Sequence, residues 1–228
     1  MTTYTRINFE FLAEGGSQES EVAVGDLILA GWSGRDRAAQ EHHIVEMEKL
    51  GIKRPPSMPV FYRVSAARLT HADAIEACGG DSSGEVEFVM IRANGGLWIG
   101  TGSDHTDRKV ESYGITVAKQ MYDKPMPLQV WSYAEVAEHW DQVVLRAWAD
   151  GELYQEAAVA SMLTPAELIA SYTEGAGALA EGTVMFSGTI GTKSGLKPAE
   201  RFRFELEDPV LGRALRHEYS VRVLPIIG

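Results

Sequence analysis

The sequence predicts an α+β domain built on an extensive antiparallel or mixed sheet. Strand-patterned segments outnumber helical ones, and the helical ones are short. Glycine is abundant at 23 residues, with Asn94-Gly95 and Asp150-Gly151 placed as hairpin turns. The 228 residues, 45% of them apolar, can bury one large core. No repeat or linker divides the chain, so residues 1–228 are expected to form a single domain.

Taken in order, Ile7–Leu12 alternates as a first strand and stops at Gly15-Gly16-Ser17. Asp26–Ala30 is a compact apolar strand. Residues 35–50 are rich in helix formers and are stopped by Gly51 and Pro55-Pro56. Val60–Val64 reads as a strand, and Thr70–Cys78 as a short helix closed by Gly79-Gly80. Residues 84–91 and 97–100 pair across Asn94-Gly95-Gly96, and residues 106–122 read as helix interrupted at Gly114. Gln142–Ala149 and Glu152–Ala158 make a second hairpin. Thr164, Pro165 and Glu167 supply the N-cap, first position and third position of a helix ending near Tyr172. Thr183–Phe186, Arg201–Leu206 and Ala214–Leu224 complete the strands.

Charge narrows the function classes. With 21 Lys and Arg against 32 Asp and Glu, the net charge is −11. Nucleic acid and anionic membrane both need clustered cations, so neither is expected as a partner. The single cysteine, Cys78, allows no internal disulfide and fits a reducing cytosol. Beside Gly79-Gly80 it reads as a small packed residue. The first residues lack a signal-peptide core and no apolar run reaches membrane-spanning length, so a cytoplasmic protein is expected.

The chemistry centres on Glu85 and Glu87. Two apart in an otherwise apolar run, they project from one face of a strand. The following hairpin would return the chain beside that strand and deliver Asp104 to the same point. Three converging carboxylates repel one another, and a hard divalent cation such as Mg²⁺ or Mn²⁺ relieves this. The blander alternative places Glu-x-Glu on the solvent face of an amphipathic strand. His43 and Glu46, at i and i+3 of the expected helix, share one face, and His42 points about 100° away. A solvated helix face is the competing reading there.

Several motifs stand in a fixed order: His43-Ile44-Val45-Glu46, Pro59-Val60-Phe61, Glu85-Val86-Glu87, Asp104-His105-Thr106-Asp107-Arg108 and Ala118-Lys119-Gln120. Together they resemble the fumarylacetoacetase (fumarylacetoacetate hydrolase) superfamily. Residues 150–155, 161–169 and 182–189 continue the pattern. The likeness runs from about Gly31 to the C-terminus and matches an uncharacterised branch. It departs from the family pattern at Val86 and Ile190, each in place of a proline, and at Trp32–Arg37 in place of Asn-Tyr. A turn at Asn94-Gly95-Gly96 replaces a helix.

The resemblance implies a β-sandwich or β-roll with a few short helices, preceded by N-terminal strands over residues 1–30 and a lid region over 31–58. It implies metal on Glu85, Glu87 and Asp104 (Mg²⁺, or Mn²⁺ or Ca²⁺), and His43, Glu46 and Lys119 as catalytic groups. Arg35, Arg37, Arg108 and Thr189 would bind substrate. For Arg35 and Arg37 an exposed ion pair with Asp36 or Glu41 is the alternative, and for Arg108 charge balance. His105, next to Asp104, reads as a solvated helix residue, the alternative being a group that supports the Asp104 carboxylate. The implied activity is hydrolysis or lysis of a small 2-oxo or 1,3-diketo acid through an enolate-type intermediate, in a homodimer. Decarboxylase, hydratase or tautomerase chemistry would use the same site, and a non-catalytic acid-binding homodimer is the remaining alternative.

Overall fold

Alternation of apolar side chains fixes which strands lie in the middle of this molecule and which at its edges. The computed structural model describes residues 4–49, 54–175 and 177–227, without the side chains of residues 43, 46, 47 and 49. The longer strands are β1 (Thr5–Ala13), β2 (Gly16–Val24), β3 (Asp26–Gly31), β4 (Val60–Val64), β5 (Ala74–Cys78), β6 (Val86–Ala93) and β7 (Gly96–Ser103). They continue as β8 (Gln129–Ser132), β9 (Val144–Ala149), β10 (Glu152–Ala158), β11 (Thr183–Phe186), β12 (Arg201–Asp208) and β13 (Arg213–Leu224). Among the described residues β2-β1-β8-β7-β6-β11-β3-β4 form one mixed sheet and β10-β9-β12-β13-β5 a second.

Strand β6 is central because it is apolar on both faces. Val86, Phe88 and Met90 pack into a core shared with Leu145, Ala147, Phe202 and Phe204 of the second sheet. Val89 and Ile91 pack the other way, with Phe9, Phe11, Leu27, Leu29 and Phe186. The first sheet therefore has apolar packing on both of its sides. Glu87, in phase with Val89 and Ile91, enters the second of these cores and is 1% exposed.

The hairpin turns are as the sequence predicts. Asn94 and Gly95 have φ 52° and 71°, and Asp150 and Gly151 φ 50° and 84°, the left-handed pairs that twist correctly into two-residue hairpins. Helix α1 spans Arg37–Lys49 and α2 Arg108–Glu111, and α3 begins at Ile115 and ends at Met121. One further turn, α4, covers Tyr133–Val136. Helix α5 (Pro165–Tyr172) carries the expected capping box, Thr164 and Glu167 each bonding the other's backbone N–H.

The expected helix over Thr70–Cys78 is absent. Ala74–Cys78 is instead a strand paired in parallel with Ser220–Leu224, burying Ile75 and Ala77 while their neighbours face outward. That alternation has period two, and a short segment takes the structure its partner offers. Cys78 is exposed rather than packed. Strand β2, polar over most of its length, pairs antiparallel with β1; it falls within the N-terminal strands expected over residues 1–30, although the sequence reading assigns no strand to Gly16–Val24 itself. No helix among the described residues is long and apolar enough to cross a membrane.

Candidate metal centre

The β6–β7 register builds the centre. Val86 lies opposite Ser103 and Glu87 opposite Gly102. One step beyond the ladder, Asp104 N donates to Glu85 O at 2.9 Å. Glu85, Glu87 and Asp104 thus project to one side, and one carboxylate oxygen from each lies within 4.8 Å of the others. Gly102 is required here, because a Cβ at that position would lie 2.5 Å from the Phe186 ring. Gly188, with φ +85°, aims its N–H at Glu87 Oε2, 2.7 Å away.

Cationic groups surround the carboxylates. Lys119, on α3, is 6% exposed and donates to Asp104 Oδ2, with Nζ also 3.9 Å from Glu85 Oε2. Lys124 is fully buried, with Nζ 2.8 Å from Asp104 Oδ1 and donating to His105 O at 2.6 Å. Thr106 Oγ1 shares its one proton between Asp104 O at 3.1 Å and the same Oδ1 at 3.2 Å. Arg108 Nη1 bridges Glu85 and Glu111, each at 3.1 Å, while its Nε donates to Ser83 Oγ.

Burial and charge pull against each other. Burial raises the Glu87 pKa well above the carboxylate range, and the Asp104 charge raises it further. Burial would raise Asp104 as well, but Lys119 and Lys124 outweigh it and hold this carboxyl ionised far below its usual range. Burial works against the Lys119 ammonium, yet Asp104, Glu85 and Glu87 raise its pKa. Lys124 goes the other way, burial leaving its pKa lowered despite Asp104.

His105 is not the solvated residue expected. It is 1% exposed, with Nδ1 2.9 Å from Tyr219 Oη and Nε2 2.8 Å from Ser82 Oγ. Burial, reinforced by the Lys124 and Arg108 charges, pushes its pKa down to about 3, so the ring is neutral.

The other candidates are placed as follows. The backbone of His43 and Glu46 lies in α1, but their side chains fall outside the described residues. His42 is exposed. Arg35 makes a forked pair with Asp141, both bonds 2.9 Å, and its Nε donates to Met162 O. The partner is thus neither Asp36 nor Glu41. Arg37 donates to Met58 O at 2.7 Å. Thr189 donates its hydroxyl to Val86 O and accepts from Gln155 Nε2, each at 2.8 Å. Gln155 Oε1 also accepts from Val86 N, fixing the start of β6. Sequence reading missed Lys124, Gln155 and Tyr219. Gln155 was within reach as the last residue of the 150–155 segment that continues the family pattern, whereas Lys124 and Tyr219 carry no local signal.

The donor set fits a hard divalent cation. It consists of carboxylate oxygens from three residues, and the Asp104 charge acts on the buried Glu87 more strongly than the opposing charge of Lys119.

A family described as "Protein of unknown function (DUF2848)" matches residues 30–219. No curated protein matches the chain. Similar solved structures include fumarylpyruvate hydrolase from Pseudomonas aeruginosa in complex with Mn²⁺ and pyruvate, at 18% identity and TM-score 0.63 over 96% of this chain and 97% of that one. A yeast protein of the fumarylacetoacetate hydrolase family has 16% identity and TM-score 0.63, covering 90% of this chain and 95% of its own. The 5-carboxymethyl-2-hydroxymuconate delta-isomerase of Mycobacterium smegmatis has 16% identity and TM-score 0.60, covering 93% and 84%. The fold is that of the fumarylacetoacetate hydrolase family, as the motifs imply.

Proposed function

The chain belongs to the DUF2848 family, and from that membership and its fold we propose a divalent-metal-dependent hydrolase or lyase acting on a small 2-oxo or 1,3-diketo acid. The observation that carries the proposal is the meeting of Glu85, Glu87 and Asp104 within 4.8 Å, with a buried lysine against them. Support comes from the Pseudomonas aeruginosa enzyme of the same fold, described with Mn²⁺ and pyruvate.

In this reading Glu85, Glu87 and Asp104 hold Mg²⁺ or Mn²⁺. A bound cation of this kind supplies a Lewis acid for the carboxylate and α-oxygen of an oxo acid, stabilising enolate charge. Lys119 offers its ammonium to the developing oxyanion, and burial strengthens that interaction by excluding water. His43 is assigned the role of base, taking a proton from water or substrate, and Glu46 that of its partner, as the motif implies. Arg35 and Arg37, at the entry to α1, are assigned to a distal carboxylate, for which Arg35 must leave Asp141. By their contacts Arg108 and Thr189 serve the frame instead, the first restraining Glu85 and the second the start of β6. The protein works as a homodimer, which sedimentation tests.

The direct test is calorimetric titration of wild type and Glu85→Ala with Mn²⁺. Affinity should fall at least about a hundredfold on loss of a ligand. Equal affinities would overturn the proposal. Decarboxylation or tautomerisation would employ the same residues, and an isomerase shares the fold. Following candidate substrates by NMR, with wild type and His43→Ala, separates water addition from these.

A further inference from the structure

Ser33, on the segment between β3 and α1, is a buried hydroxyl that the proposed reaction leaves without a task. Its Oγ donates to Ser187 O at 2.5 Å. The same peptide unit carries Gly188 N–H, which donates to Glu87 Oε2 at 2.7 Å. One peptide thus stands between the Ser33 hydroxyl and the Glu87 carboxylate, accepting from the first and donating to the second. Hydrogen bonds linked in this way polarise and strengthen one another, most of all where water is excluded.

The surroundings fix this relay at both ends. Ser33 O accepts from Leu163 N at 2.8 Å and Arg35 N donates to Ser161 O at 2.9 Å, so the segment leading into α1 is tied to residues 161–163. Ser187 N donates to Phe88 O at 3.0 Å, which holds the near side of Ser187 against β6 and leaves its carbonyl to be aimed by Ser33. Space is fitted as closely: a Cβ at Gly188 would lie 2.4 Å from Ser33 Oγ and 3.1 Å from Ala30 O. Glu87 is buried, and among the described residues its carboxylate receives its hydrogen bond from Gly188 N–H. A buried polar group follows its partner, so the tilt of the Ser187–Gly188 peptide sets the aim of that carboxylate.

We propose that Ser33 is a positioning residue of the metal centre, aiming Glu87 through the Ser187–Gly188 peptide. The inference rests on the metal reading above and deepens it. A merely structural role makes a different statement: loss of the hydroxyl would lower stability and leave both the Gly188–Glu87 bond and metal affinity as they were.

The test compares wild type, Ser33→Ala and Ser161→Ala by calorimetric titration of the whole chain with Mn²⁺, and follows the Gly188 amide proton by NMR in the metal-free proteins. In Ser33→Ala the amide signal should move upfield as its bond to Glu87 weakens. Mn²⁺ affinity should fall about fivefold, since Ser33 acts one hydrogen bond further out than the partners whose loss costs about tenfold or more. Ser161→Ala, which takes an exposed hydroxyl from the anchoring segment, should change neither reading. An unmoved Gly188 signal or an undiminished Mn²⁺ affinity in Ser33→Ala overturns the inference while the metal site stands, and so does an equal loss in Ser161→Ala. If Ser33→Ala does not fold, Ser33→Cys, whose thiol is a weaker donor, decides by the same two readings. Wild-type protein that binds no Mn²⁺ removes the metal reading and this inference with it.

Discussion

At the scale of single residues, the informative feature is how much charge is enclosed and how it is partnered. Asp104 depends on two ammonium groups, and removing one leaves a buried anion half compensated. Lys119→Met is therefore expected to destabilise the metal-free protein by about 3 kcal/mol, with part of the loss regained on adding Mn²⁺. Thermal unfolding with and without the ion measures both. Asp208 makes a second case, away from the metal centre. Fully buried, it accepts from Val210 N, Leu211 N and His139 Nε2. Burial would raise its pKa, but the Leu211 N–H, His139 and Arg213 outweigh it and hold it down. A carboxyl with a depressed folded pKa stabilises above its unfolded value and loses that contribution as pH falls through the folded one. Asp208→Asn should thus cost about 2 kcal/mol near pH 7, and the gap to wild type should close below about pH 4. Urea unfolding at the two pH values checks the sign. Neither Lys124 nor His105 was legible as buried in the sequence. A lysine between Asp123 and Pro125 has the local look of a surface turn, and only Asp104, on a separate segment, makes its burial tolerable.

At the scale of elements, the signals read correctly were those whose partners lie nearby in the chain. Asn94-Gly95 and Asp150-Gly151 specify hairpins by backbone twist alone, and Thr164 with Glu167 caps a helix within one turn. Glu85, Glu87 and Asp104 were readable for the same reason, since one tight hairpin brings them together. Ala74–Cys78 failed because its partner, β13, lies most of the chain away. The β6–β7–β11 contact offers a further test. A methyl group at Gly102 would strike the Phe186 ring and approach Val89 at 3.2 Å. Gly102→Ala is expected to cost about 1–3 kcal/mol through overpacking, seen as a lower urea midpoint with an unchanged slope.

At the scale of the whole molecule, the two sheets act as one support, because β6 contributes to the core on either side. In the proposed metal-dependent reading, a cation gripped at its start would therefore stabilise the entire fold. Mn²⁺ at a hundred times its dissociation constant should add about 2.7 kcal/mol, or roughly 5–10 °C in melting temperature. Glu87→Ala should abolish that increment in differential scanning calorimetry. The parallel pairing of Ala74–Cys78 with Ser220–Leu224 bears on how the protein is made. During translation the first partner leaves the ribosome long before the second exists. Throughout that interval its backbone amides and carbonyls are open to a neighbouring nascent chain. Slower elongation ahead of codon 213 should therefore lower soluble yield, and a chaperone that shields extended segments should restore it.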